Sequence, residues 1–470
     1  MTPQTSKALN LEDDLGYEKT INEDRLFKAS SLVRQTLFEL LSRASIIDLL
    51  PLTFAVVVLR QYLWPLSSQQ LAWTLSLVIG GGLWCLHLKE REEQPLTRSV
   101  SFWLVVAAPL LFCYLINVPH PDTSYDVLNY HLVNAERGLR GWPFIQGDFF
   151  PTILQVNPAP DMVSALFRRA LGYRLGTIVN YLAMLWIAMI IDKFLRPYLR
   201  NNWLRSAAVL TVVSTEMLLY LQNYYLIDLF ALPLLLEATY LSLNFSELRK
   251  KNYAVIHIAS FLALSVAFKI TNLAFVAPIG MLFVVKILGN RKQLSLGYLV
   301  IASVMLVIPS LPFALFMFRE TGNPFFPLLN AVFKSPYLAP HNWEDVSHGP
   351  KKLWEYAIWP ILTVIYPERL SEMSGLMSGY TGRIAVAFVV SILGLFSRML
   401  DKKLRTICLV VLVGSVFWTI TTGNGRYGLY LELMGGMVAV CVLASVFHLQ
   451  VMEKLGLPIN EKQRAFFLPK

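Results

Sequence analysis

Apolar residues in this chain collect in blocks of about 17–22 positions, the length an α-helix needs to cross the hydrocarbon core of a bilayer. Short polar or basic turns separate the blocks. The pattern predicts spans at about 46–64, 70–88, 99–118, 174–192, 204–222, 225–244, 253–269, 271–288, 297–318, 383–398, 405–421 and 427–449, about twelve crossings in all. The fold class expected is therefore an all-α polytopic membrane protein.

The connecting segments set the orientation. One set is basic: Lys193, Arg196, Arg200 and Arg205; Arg249, Lys250 and Lys251; Arg291 and Lys292; Arg398, Lys402, Lys403 and Arg405. Such loops stay on the cytoplasmic side of a membrane. With about twelve spans all of them fall on that side, and the turns at 66–69, 222–225 and 270–271 face outward almost without charge. Both termini are then cytoplasmic: a polar segment 1–45 without a cleavable signal pattern, and a basic tail 451–470. Residues 30–45 suit an amphipathic helix on the membrane face as well as a solvated one. Between the two ends, 46–450 forms one membrane-embedded domain.

Two outward segments, about 119–173 and about 319–382, are long, and long loops are commonly functional. Both are rich in proline and aromatic residues, which predicts short amphipathic helices at the membrane–water interface.

Composition sharpens this picture in two places. With 55% hydrophobic and 15% charged residues, the chain lacks the charge to cover a soluble protein of its size. The net charge of +10 is spread over short turns rather than one face, so it points to the bilayer and not to nucleic acid. Cys85, Cys113, Cys408 and Cys441 lie in or beside apolar blocks and read as packing residues. His120, His131, His341 and His348 fall on the outer side without metal-ligand spacing, so no metal site is predicted.

Candidate chemistry begins in the first outward segment, PHPDTSYDVLNYHLVNAERGLRGWPF. A helix starting near Ser124 places Asp126, Tyr130 and Asn134 on one face, with His131 beside them. A carboxylate partly dried by aromatics at the membrane surface can serve as a general base. Asp122, Thr123 or Ser124 can equally be the residue that starts the helix. Among cations, Lys269 and Arg426 are lone charges in tight outward turns. Arg383 stands where the second long segment re-enters the membrane, and Arg137 and Arg140 lie in the first. A cation at a membrane end is commonly a snorkelling anchor, yet basic residues are least expected on the outer side. Asp228 near the outer end of a span is costly to bury alone and calls for a partner or a function.

Taken in order, these features resemble the GT-C superfamily of membrane glycosyltransferases. The similar branch contains protein O-mannosyltransferases, lipid A aminoarabinose transferases and bacterial lipopolysaccharide-modifying enzymes. Asp126, Tyr130-His131, Ala135 and Gly141-Trp142-Pro143 resemble its acidic first loop. Tyr224-Tyr225 with Asp228 resembles the aromatic-plus-Asp start of a middle span, and Lys269 with Thr271 its K-T hairpin. Gly322-Asn323-Pro324 with Pro327 resembles a segment heading its second loop, and Arg426-Tyr427 the opening of a late span. The resemblance covers roughly residues 99–450. Two spans precede the acidic loop here, and Val127 follows Asp126 where the family carries an acidic pair, which leaves Asp122 and Asp126 both open as the base.

The resemblance implies an inverting transfer of a hexosyl or pentosyl group from a polyprenyl-phosphate donor to a lipid-linked or cell-envelope glycan acceptor. It implies a bacterial inner membrane with the site facing the periplasm. Asp126, or else Asp122, would be the base. Lys269, Arg426, Arg383 and Arg137 would face the donor phosphate, and Tyr130, His131, Asp228 and Tyr427 the substrates. No cofactor beyond the donor substrate is implied, and a divalent metal has no sequence support. The alternatives are a polysaccharide polymerase or ligase and a transporter or flippase of lipid-linked glycans. A transporter should carry repeated or interrupted helices with ionisable groups at mid-membrane.

Overall fold

The structure is a computed structural model describing residues 44–90, 99–120, 122–141, 157–342, 347–370, 382–397 and 400–454. Most of the predicted terminal segments 1–45 and 451–470, together with Trp142, Pro143 and Arg398, therefore lies outside the described residues. The described residues form helices and the turns between them.

In chain order the helices used below are α1 (Leu49–Tyr62), α2 (Gln69–Glu90), α3 (Val100–Asn117), α4 (Leu132–Arg140) and α5 (Ala159–Leu171). They continue as α6 (Ile178–Leu195), α7 (Asn202–Val213), α8 (Glu216–Leu221), α9 (Asp228–Asn244) and α10 (Lys251–Phe268). The rest are α11 (Leu273–Gly289), α12 (Leu296–Met305), α13 (Leu311–Thr321), α14 (Glu355–Leu362), α15 (Arg383–Phe396), α16 (Lys402–Thr421) and α17 (Leu429–Lys454).

Eight helical stretches among the described residues are long and apolar enough to cross a membrane: α2, α3, α6, α9, α10, α11, α16 and α17, some with an added turn. The protein is a multi-pass membrane protein. The four other predicted spans are shorter or broken. At 204–222 the helix stops at Ser214 and restarts with Thr215, whose hydroxyl accepts from Leu218 N. At 297–318 it breaks between α12 and α13, where Pro309 and Pro312 each lack the N–H a continuous helix needs. The spans expected at 46–64 and 383–398 are each 14-residue helices.

The centre of the bundle is α6, with 89% of its best window buried, flanked by α9 and α17; α2 at 22% lies on the outside. Outer helices leave Phe112, Val285, Leu296, Leu393 and Phe396 exposed, an apolar perimeter that suits lipid.

Successive antiparallel helices sort the charges into two ends. At one end lie the basic turns, braced by Lys193–Glu237 (2.9 Å), Lys403–Glu247 (2.6 Å) and Asp192, which pairs with Arg205 at 2.8 Å and Arg196 at 3.0 Å. Asp192 and Arg205 are both buried. Truncating Asp192 to alanine strands the Arg205 guanidinium, and the expected loss is about 3–5 kcal/mol of stability. Thermal unfolding in detergent should show it as a lowered midpoint, and an unchanged midpoint would mean that Arg205 finds water. The opposite end holds Asp228, Lys269 and Arg426.

Candidate functional site

Three turns and one helical segment bring the site together. Asp228 is the first residue of α9, where a carboxylate is favoured by the helix dipole. Lys269 caps α10 in an extended conformation (φ −152°, ψ 104°), pointing the chain into the next turn before α11 begins. Arg426 sits in the 3₁₀ turn Gly425–Gly428 that opens α17, with Asn424 as its cap. Asp126 precedes a π-helical turn, Val127–His131, of the kind that recurs at functional sites.

Their side chains form one ion cluster. Arg426 donates Nη1 to Asp126 (2.5 Å), and Nη2 and Nε to Asp228 Oδ2 (3.1 and 3.2 Å). Lys269 pairs with the other oxygen of Asp228 and stacks its ammonium 4.3 Å from the centre of the Tyr427 ring. Tyr130 hydrogen-bonds to Asp126. Two carboxylates thus balance two cations in a largely buried space, where Asp228 is 1% exposed and Arg426 17%.

Burial works against the charge on Asp126, but the Arg426 charge and hydrogen bond, helped by His131 and Tyr130, outweigh it and hold the carboxyl below the usual range. Burial and then the Asp126 charge push the Tyr130 phenol up, so it stays a donor. At Lys269, burial and the like charge of Arg426 push the ammonium down, with Asp126 opposing.

The Arg426 turn is buttressed by the second long segment. Trp359 donates to Gly423 O (2.9 Å) and Gly425 N to Leu370 O (2.6 Å), while Trp418 of α16 donates to Asn424 O (2.8 Å). Gly423 has φ +58°, and a Cβ there would stand 2.8 Å from Trp359 Nε1, so only glycine suits this turn. Arg369 holds the segment by pairing with Glu355 (2.5 Å) and donating to Gly349 O (2.8 Å). Its hydrogen bond, with that from Lys351 N, draws the Glu355 carboxyl down to about 2.

The other predicted residues have different placements. Asp122 accepts from Ser124 N (2.9 Å), Ser124 Oγ (2.8 Å) and Tyr225 N (2.7 Å), which staples the first long segment to the turn before α9. Burial raises its carboxyl despite these bonds. Its bonds from Ser124 fall on the residue before the helix and not on the N–H groups of the first turn that a helix cap would take. Arg383, expected at the donor phosphate, instead spends its guanidinium on the carbonyls of Thr211, Val212 and Ser214 (3.1–3.2 Å), capping the end of α7. Arg137 lies on the last turns of α4, beside Glu136, which Arg168 (2.6 Å) and Arg169 (2.5 Å) of α5 hold. His131 is buried and joins Asp161 of α5 at 2.7 Å, a partner that sequence reading did not single out. A cavity of about 150 Å³ opens at the basic end, between residues such as Lys193, Glu237 and Lys250, and none of the predicted site residues lines it.

A family model described as Domain of unknown function (DUF8201) matches residues 156–433, more than half of the chain. The chain belongs to this family. The DUF8201 match contains Asp161, Asp228, Lys269, Arg426 and Tyr427, whereas Asp122, Asp126, Tyr130 and His131 precede it. No curated protein and no solved structure matches the chain.

Proposed function

We propose that this chain is an inverting membrane glycosyltransferase with a GT-C-like fold that moves a sugar from a polyprenyl-phosphate donor to a lipid-linked or cell-envelope glycan. One observation carries the reading. Asp126, Asp228, Lys269 and Arg426, from four segments up to 300 residues apart, converge on one buried ion cluster at a single end of the bundle. Ionisable groups this costly to bury call for a function, and their position at a helix end favours a substrate at the membrane surface over a mid-membrane solute.

In this scheme the acceptor hydroxyl attacks the anomeric carbon, the bond from that carbon to the phosphate oxygen breaks, and polyprenyl phosphate leaves with the electron pair. The leaving phosphate gains negative charge as the bond breaks. Lys269 and Arg426 are the cations that meet it, a stabilisation that grows toward the transition state. Burial and the Arg426 charge disfavour the Lys269 ammonium, and the developing anion adds an opposite charge to the one Asp228 supplies. Asp228 holds both cations. Asp126 is ionised and tied to Arg426, which weakens it as a base, so we assign it the anchoring of that guanidinium in place of proton acceptance. The twelve-crossing count, a periplasmic site and a bacterial inner membrane complete the proposal, with α1, α15 and the broken helices α7–α8 and α12–α13 as the four additional crossings.

The test is a transfer assay. Purified protein given undecaprenyl-phosphate-linked glucose, mannose or aminoarabinose, with a membrane lipid extract as acceptor, should release undecaprenyl phosphate and label a lipid or glycan. Net movement of intact donor across a vesicle, without cleavage, would instead favour a flippase.

A further inference from the structure

The helix pair α4–α5 carries buried chemistry that the ion cluster does not use. His131 and Asp161 are 3% and 1% exposed, and His131 Nδ1 meets Asp161 Oδ1 at 2.7 Å. Two features force the meeting. Gly138 lets α4 lie close on α5, since a Cβ there would stand 2.8 Å from Met162 Cγ. Glu136 then locks the pair through Arg168 and Arg169. The other nitrogen, Nε2, is buried and makes no hydrogen bond among the described residues. A buried imidazole nitrogen left unbonded is costly, so its retention calls for a reason.

Position supplies one. His131 closes the π turn that Asp126 enters, and a turn wider than 3.6 residues brings Asp126, Tyr130 and His131 onto one side. The Tyr130 ring lies 4.3 Å from the imidazole while its hydroxyl bonds Asp126, the carboxylate on Arg426. His131 is therefore one side chain removed from the phosphate-binding cations.

We propose that His131 is the general base of the transfer and Asp161 the residue that positions it. The inference rests on the glycosyltransferase reading above. Burial pushes the Asp161 carboxyl up, and the His131 contact and the Arg168 charge oppose it; in the ionised form of Asp161, Nδ1 carries the hydrogen and Nε2 presents its lone pair. The acceptor hydroxyl's proton passes to Nε2 as its oxygen bonds to the anomeric carbon, and the sugar–phosphate bond breaks toward Lys269 and Arg426. Imidazolium formed in this way is stabilised by Asp161. The groups around His131 are Asp161 and Arg168 from α5, Asp122 from the entering chain, and Asp126 and Tyr130 of its own turn, with Arg426 behind Asp126. Carboxylates outnumber cations there, which suits a site that receives a proton.

The experiment uses full-length protein in detergent with the undecaprenyl-phosphate sugar that the wild type turns over. His131→Gln should lower transfer by about 100-fold or more while the donor still binds. Imidazole added to His131→Ala should restore part of the rate, which a misfolded variant would not allow. Asp161→Asn should lower the rate roughly tenfold or more and move the acidic limb of the kcat/KM profile, because Asp161 is the countercharge of the imidazolium. Transfer within about threefold of wild type in His131→Gln, or an unmoved acidic limb in Asp161→Asn, would overturn the dyad and leave the transferase standing. Absence of transfer by the wild type itself would overturn both.

Discussion

Arg426→Ala should abolish transfer, by about 100- to 1000-fold, because it removes a charge that acts on the leaving phosphate as its own charge develops. It should also weaken the fold. Arg426 bridges Asp126 and Asp228, and without it Asp228 keeps only Lys269 while Asp126 keeps the Tyr130 hydroxyl. Breaking a buried pair from one side costs about 3–5 kcal/mol. The activity loss must therefore be read on protein that remains folded. Lys269→Ala is the milder variant, since it leaves the pairs of Arg426 with both carboxylates in place and takes from Asp228 one of its two cations. Both variants should lose affinity for polyprenyl phosphate, measured by displacement of a labelled lipid. Loss of stability with full retention of lipid affinity would make the cluster a structural bolt.

Asp126→Asn should lower transfer roughly 100-fold, with a cause different from loss of a base. Asparagine still offers an oxygen to Arg426 Nη1 but no charge, so the guanidinium is held more weakly on that side and drifts toward Asp228. The pH profile separates the two causes. Arg426 holds the Asp126 carboxyl below its ordinary value of 3.8. Its contribution to stability is thus fully present above about pH 3.8 and is lost only as the pH falls through the lower folded value. Asp126 therefore titrates outside the neutral range. If it anchors Arg426, the residual activity of Asp126→Asn keeps the wild-type acidic limb. If it is the base, that limb disappears with it.

The charges at span ends were legible in the sequence because the membrane makes them conspicuous. Asp228, Lys269 and Arg426 each stand alone at the border of an apolar block, on the side where the positive-inside pattern leaves few cations. Their pairing was not legible, since Asp126 and Arg426 meet across 300 residues and no local periodicity encodes that. Arg383 looked like its neighbours in kind, and only the end of α7 beside it shows that carbonyls use it up. Asp161 was missed for a related reason. It follows NPAP, which reads as an interfacial loop, yet Pro160 stands at the first turn of α5, where proline is tolerated, and Asp161 beside it faces inward. The signal was present as an acidic residue in an apolar first turn, with Arg168 seven positions on. The crossings at 204–222 and 297–318 were read as continuous because hydropathy averages over the Ser214-Thr215 restart and the prolines at 309 and 312. Those breaks are matters of backbone hydrogen bonding, which apolar content does not report.

The central claim is that the Asp126–Arg426–Asp228–Lys269 cluster holds the phosphate of a polyprenyl lipid. Native mass spectrometry of wild-type protein and Lys269→Ala, each extracted gently from membranes supplied with undecaprenyl phosphate, tests it most directly. Wild type should carry one bound undecaprenyl phosphate, and the variant should lose it while keeping bulk phospholipid. Equal occupancy in the two proteins, or none in the wild type, would contradict the account.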